Sequence, residues 1–320
     1  MLCLQFGDQL PPGPPFVATI GNFDGVHRGH QLLVGQVVGV TRSLGCRSVV
    51  VTFWPHPRLV LPGQQFLGYL TTLEERQRVL GSLGVDVVLT LPFTLEVAAL
   101  APDVFIEQLQ RVVPLRALIV GADFRFGHRR TGDVALLEKL SGMYGFIIQR
   151  IERLGDADRD ISSNSLRKWL VGGDVERARG GLGYPYALSG IVVHGDHRGR
   201  TLGYPTANIV PPREKVVPRA GIYAAVALHQ GVSYVAAVSI GRRPQFDGQD
   251  QRVEAYLLDF SGDLYGQQIE LQFIKRLRDE LRFPSVTLLI DQIARDVEQV
   301  RQAVMAEDLA HATRHSLLVR

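Results

Sequence analysis

The apolar positions of this chain fall into two different rhythms. From Phe16 to about Ile151, short runs rich in β-branched residues alternate with segments of helical period; Phe16 to Ile20, Arg47 to Phe53, Val85 to Leu91 and Arg116 to Val120 read as strands. That alternation predicts a doubly wound, Rossmann-like parallel sheet with helices on its faces. Helix starts are marked by Thr72 with Glu75 three residues on, a capping-box spacing, and by Pro102 with Asp103 in a first turn. After Leu188 the period drops to two. Leu188 to His194, Ile222 to His229, Val232 to Ser239, Val253 to Phe260 and Gln268 to Ile274 alternate between Gly- and Pro-bearing turns, which predicts an antiparallel β-barrel or sandwich. From Ser285 to Met305 the helical period returns, with Leu288, Leu289, Ile293, Val297 and Val300 forming a face suited to closing the barrel. The change of rhythm near Gly183 to Leu188 divides the chain into domains 1–185 and 186–320, with the last ten residues read as a frayed tail.

Composition narrows the class. At 320 residues, with 46% hydrophobic and 21% charged positions, the chain is long enough for two buried cores and is that of an ordinary soluble globular protein. Thirty-five basic against 32 acidic residues leave a net charge of +3, too small an excess to call for a nucleic-acid surface. The two cysteines, Cys3 and Cys46, have neither disulfide-framework nor metal-ligand spacing, which fits a reducing cytoplasm. No signal peptide is expected from MLCLQFGDQLPPGPP, and no apolar run approaches the roughly 18 residues of a membrane span.

The most informative stretch is GNFDGVHRGH, Gly21 to His30. It joins a buried strand to an amphipathic helix, where unpaired N–H groups and the positive end of the helix dipole make a phosphate site. His27 and His30 arrive there as donors for developing charge. Gly21 opens the loop, Phe23 and Asp24 fix its turn, and Gly29 lets backbone approach a nucleotide closely. The pattern is that of nucleotidyltransferases. The loop after Val120, GADFRFGHRRTGD, is expected on the same C-terminal sheet edge.

Three further clusters lie downstream: ISSNSLRKWL from Ile161, HGDHRGRTLGYPTAN from His194, and VEAYLLDFSGDLYG from Val253 with LRDELRF from Leu277. With GNFDGVHRGH and GADFRFGHRRTGD, they make the chain resemble the bifunctional bacterial riboflavin kinase/FAD synthetase family over nearly its whole length. The resemblance implies a nucleotidyltransferase domain that adenylylates FMN to FAD, releasing pyrophosphate, and a riboflavin kinase barrel that makes FMN. ATP, riboflavin and FMN are then its small-molecule partners, with Mg²⁺ as cofactor. In the first site His27 and His30 would stabilise the α-phosphoryl transition state. Arg167 would act as a second phosphate clamp behind a helix capped by Ser162 and Ser163, and Asp123 would serve as a polar contact beside Phe124 and Phe126. In the barrel the resemblance implies Glu254 as base for the ribityl 5′-hydroxyl and Thr206 and Asn208 as metal ligands. Gly195, Gly199, Arg200, Gly203 and Pro205 would then form the ATP-wrapping loop. The chain departs from the family pattern at Asn164, at Tyr256 in place of a histidine, and at Arg76 in place of a lysine. Two rival readings remain at this point: an FAD synthetase whose barrel only binds flavin, and a non-catalytic flavin- or nucleotide-binding regulator. Oligomeric state is not legible.

Overall fold

The computed structural model describes residues 1–152, 161–195, 198–242 and 251–306. By its contacts the chain forms two compact units, one of Met1–Leu67 with Thr71–Ile161, the other of Gly68–Leu70 with the chain from Ser162 onward.

The first unit is built on six parallel strands: β1 (Leu2–Gln5), β2 (Phe16–Ile20), β3 (Arg47–Trp54), β4 (Val87–Pro92), β5 (Leu115–Gly121) and β6 (Ile147–Ile151). Their order across the sheet is β1-β4-β3-β2-β5-β6. Every residue of β2 is buried, because alternate side chains serve opposite layers. Phe16, Ala18 and Ile20 join a core with Phe105, Ile106, Leu109 and Leu137 from the helices Pro102–Val112 and Val134–Tyr144, while Val17 packs with Val37 of the helix Arg28–Leu44. The helix starts follow the sequence signals. Thr72 closes a reciprocal capping box with Glu75, and Pro102 occupies the first turn of its helix. Two edge strands escaped the sequence reading. Leu2–Gln5 is a mostly exposed edge with little periodic signal, and Ile147–Ile151 is only partly buried.

Strand order reverses at β2: β3 lies on one side of it and β5 on the other, both parallel. That is the switch point at which a doubly wound sheet opens a crevice beyond its C-terminal edge. The loops after Ile20 and after Gly121 flank it, as their sequence positions predict.

The second unit is a closed antiparallel barrel in the order β10-β11-β8-β7-β12-β9. Its strands are β7 (Ala187–Val193), β8 (Ala207–Val210), β9 (Gly221–His229), β10 (Val232–Arg242), β11 (Gln251–Leu257) and β12 (Gln268–Arg278). The helix Val286–Met305, capped by Ser285, lays Val300 and Val304 against Ala224, Val226, Leu228 and Ile274. Its covering face differs from the expected one. Leu288 is exposed, and Asp296 is buried within the face, where the Arg278 guanidinium grips it from β12 and Gln292 donates to it at 2.9 Å. Apolar periodicity has no means of finding a buried carboxylate whose partner sits on another element. The frayed-tail reading falls outside the described residues.

Candidate active sites

Between Ile20 and Arg28 the chain turns from strand to helix through three residues with positive φ: Phe23 (48°), Gly25 (78°) and Val26 (33°). Glycine adopts such angles freely; a β-branched valine does so only when its surroundings hold it there, as complete burial does for Phe23 and Val26. Asp24, also fully buried, anchors the turn. Its Oδ1 accepts from the Thr71 N–H and hydroxyl at 3.0 and 3.1 Å, Thr71 Oγ1 accepts the Gly25 N–H at 3.0 Å, and Arg76 Nη2 stands 3.6 Å from the carboxylate. Arg76 is likewise buried and donates to Thr52 Oγ1 and to the Phe53 carbonyl, both at 3.2 Å.

His27 is the N-cap of the following helix, yet its side chain makes no capping hydrogen bond, and the first turn carries no acidic residue. The helix-start amides therefore keep their affinity for an anion. The rings of His27 and His30 stack with centroids 3.7 Å apart, and Phe23 tilts against His30 at 5.0 Å. Gly29 allows this: a Cβ there would lie 3.2 Å from His27 Cε1. Gly21 is comparable, with a Cβ 3.1 Å from the Phe23 ring. Burial lowers the His27 pKa to about 4, partly offset by Asp24. His30 lies well below its ordinary value, through burial first and then the proximity of His27 and Arg76. Both imidazoles are thus neutral near pH 7. The Nδ1 atoms of both are buried and have no hydrogen-bond partner among the described residues.

In the loop after β5, Phe126 is buried and stacks on the partly buried Phe124 at 5.6 Å. Asp123 is exposed and lines a shallow pocket with Phe124, Arg125, Asp133 and Arg150.

Ser162 caps the helix Ser163–Gly172 through a reciprocal box with Ser165, and Ser163 is the first helical residue. Arg167 lies on that helix's buried face, and its Nε donates to the Gly68 carbonyl at 2.7 Å. The structure thus gathers Gly21, Phe23, Asp24, His27, Gly29 and His30 in one strand-to-helix turn and the first helical turn of the first unit, and sets Ser162, Ser163 and Arg167 in the second.

In the barrel, Asn208 on β8 stands directly opposite Glu254 on β11. Two glycines pack close against Asn208 and Thr206. A Cβ on Gly195 would fall 2.1 Å from Asn208 Nδ2, and one on Gly199 would fall 2.3 Å from the Tyr204 carbonyl and 3.1 Å from Thr206 Oγ1. Gly203, at φ 85°, turns the chain two residues before Pro205. The Arg200 side chain lies outside the described residues. Tyr256 meets Tyr204 edge-on at 5.4 Å.

Sequence reasoning missed three residues. Arg252, two positions before Glu254 and so on the same face of the strand, donates from Nε to Asn208 Oδ1 at 2.9 Å and places Nη2 2.7 Å from Glu254 Oε1. Strand alternation was the available signal. Arg76 read as a simple retention of charge, although it is fully buried beneath the histidine loop. His56 is singled out by no sequence signal. It is buried, and its Nδ1 accepts the Arg58 N–H at 3.1 Å as a helix cap.

A switch-point loop with two neutral histidines at a helix start, joined in one chain to a barrel with paired Asn and Glu, defines a two-domain nucleotide-dependent transferase. Residues 12–165 match the FAD synthetase family model and residues 182–304 the riboflavin kinase model. The bifunctional riboflavin kinase/FMN adenylyltransferase of Escherichia coli K12 is 41% identical over 288 residues, 89% of this chain and 92% of that protein. Its counterpart in Bacillus subtilis strain 168 is 35% identical over 88% of this chain and 90% of its own length. The chain belongs to the bifunctional riboflavin kinase/FMN adenylyltransferase family, and it carries both enzyme domains. A crystal structure described as a macrolide-efflux protein from Streptococcus pneumoniae superposes with a TM-score of 0.87 at 30% identity, covering 94% of this chain and 99% of that one. The likeness concerns the fold, and the efflux description belongs to that protein. Among the described residues of this chain, no helix is long and apolar enough to cross a membrane.

Proposed function

We propose that the two family activities are carried by two self-contained constellations, divided functionally at residues 185 and 186. In the first, the helix-start amides together with His27 and His30 receive the ATP phosphates, and the FMN phosphate attacks the α-phosphorus in line. No protein nucleophile is required, so positioning and preorganised donors supply the rate. Neutral imidazoles suit this task. They donate N–H groups to a developing negative charge without first surrendering a proton. Asp123 would contact the nucleotide from the loop after β5.

In the barrel, Glu254 accepts the proton of the riboflavin 5′-hydroxyl as that oxygen attacks the γ-phosphorus. The glycine-lined recess around Thr206 and Asn208 offers hard oxygen donors that fit a divalent cation, with Gly195 and Gly199 leaving the room that a Cβ would fill. Mg²⁺ bound there with ATP would neutralise charge on the phosphates; Thr206 Oγ1 and Asn208 Oδ1 would hold it. A cytoplasmic setting accords with ATP and flavin substrates and with free Cys3 and Cys46.

The register pairing of Glu254 with Asn208 supports this reading most directly, because the proposed base and the proposed metal ligand then lie on neighbouring strands. The test is chromatographic. Purified protein with riboflavin, ATP and Mg²⁺ should form FMN and then FAD, and with FMN it should form FAD directly. Conversion of FMN alone, with riboflavin untouched, would reduce the barrel to a flavin-binding module.

A further inference from the structure

Arg252 engages both barrel atoms that phosphoryl transfer would use. Its Nε–H donates to Asn208 Oδ1 at 2.9 Å while its Nη2 lies 2.7 Å from Glu254 Oε1, and its side chain is only 28% exposed. The contact is built into the sheet: Arg252 and Glu254 point the same way from β11, and Glu254 is in register with Asn208 on β8. A guanidinium bridging a carboxylate and an amide oxygen offers them positive charge and directed donors, which is also what a divalent cation offers.

We propose that Arg252 is a tethered cation at the barrel's metal position that must withdraw from Asn208 for a divalent cation to enter. This rests on the reading of Thr206 and Asn208 as the metal-holding pair. Arg252 is then a positioning residue. It keeps Asn208 and Glu254 oriented, and it sets the affinity for the incoming ion through direct competition. Like-charge repulsion within a partly shielded recess would work against cation entry, and removing it should favour the ion by the amount typical of one partly buried pair.

The experiment is a Mn²⁺ titration of the full-length protein with ADP and no flavin, followed by electron paramagnetic resonance. Asn208→Ala supplies the baseline, since the signal it loses belongs to the barrel site. Arg252→Met, and Arg252→Gln as a second neutral variant, should bind Mn²⁺ roughly threefold to tenfold tighter than the natural protein, with Arg252→Lys restoring the weaker binding. Conversion of FMN to FAD, a task of the other unit, checks that each variant is folded. Unchanged or weaker Mn²⁺ binding in both neutral variants, with binding still lost in Asn208→Ala, would overturn the tethered-cation role and leave the metal site standing. Full Mn²⁺ binding in Asn208→Ala would overturn the metal site and this proposal together.

Discussion

Gly29 stands against the imidazole of His27, so close that a Cβ would come within 3.2 Å of the ring carbon Cε1. The stacked pair of His27 and His30 therefore depends on a residue that itself carries no chemistry. Gly29→Ala should push the His27 ring off its partner and lower kcat/KM for FAD formation about tenfold or more, while riboflavin phosphorylation stays unchanged. A steady-state comparison of the two reactions checks it, and an unaffected adenylylation would show that the stacking is incidental.

The depressed histidines give the protein a defined response to acid. An unfolded His27 takes up its proton near 6.5, whereas the folded one resists until about 4. Across that window the unfolded chain binds more protons, so stability falls as pH drops through 6.5 and the loss levels off below 4. The His27 contribution to that loss is on the order of 3 kcal/mol. Histidine NMR titration should place the His27 midpoint near 4, and a midpoint close to 6.5 would contradict the buried, neutral donor.

Asp24 links the strained turn to Thr71 and Arg76, all within buried surroundings. Asp24→Ala leaves the Arg76 charge without its carboxylate and frees the turn. It should cost about 3 to 5 kcal/mol in chemical denaturation and cripple FAD formation together. Loss of activity with unaltered stability would instead point to a direct contact between Asp24 and nucleotide.

Gly195 tests the barrel recess in the same way. With a Cβ only 2.1 Å from Asn208 Nδ2, Gly195→Ala must displace that side chain. Riboflavin kinase activity should fall by roughly a hundredfold or more while FMN adenylylation persists, read by product chromatography with each flavin as the starting material.

Most of the fold was legible because the two periodicities are strong where strands are buried on both faces or alternate cleanly. β2 and β9 are examples. The candidate sites were also marked in the sequence, by the helix-start grammar of GNFDGVHRGH beyond the parallel sheet and by the PTAN and VEAY segments of the barrel. What stayed hidden were charges whose burial depends on distant partners. Arg76 finds Thr52 and Asp24, Asp296 finds Arg278, and Arg252 finds Asn208 across 44 positions of sequence. No local pattern encodes such pairings. They exist only once the elements that carry them are packed together.

The central claim is that one chain holds two independent catalytic constellations, and mixing two variants tests it most directly. Glu254→Gln should lose riboflavin phosphorylation by about a hundredfold or more and keep FMN adenylylation, and His30→Ala should do the reverse. Neither variant alone should then make FAD from riboflavin at an appreciable rate. A one-to-one mixture, given riboflavin, ATP and Mg²⁺, should make it through FMN released by one protein and taken up by the other. Failure of the mixture, or loss of both activities in either variant, would contradict the account.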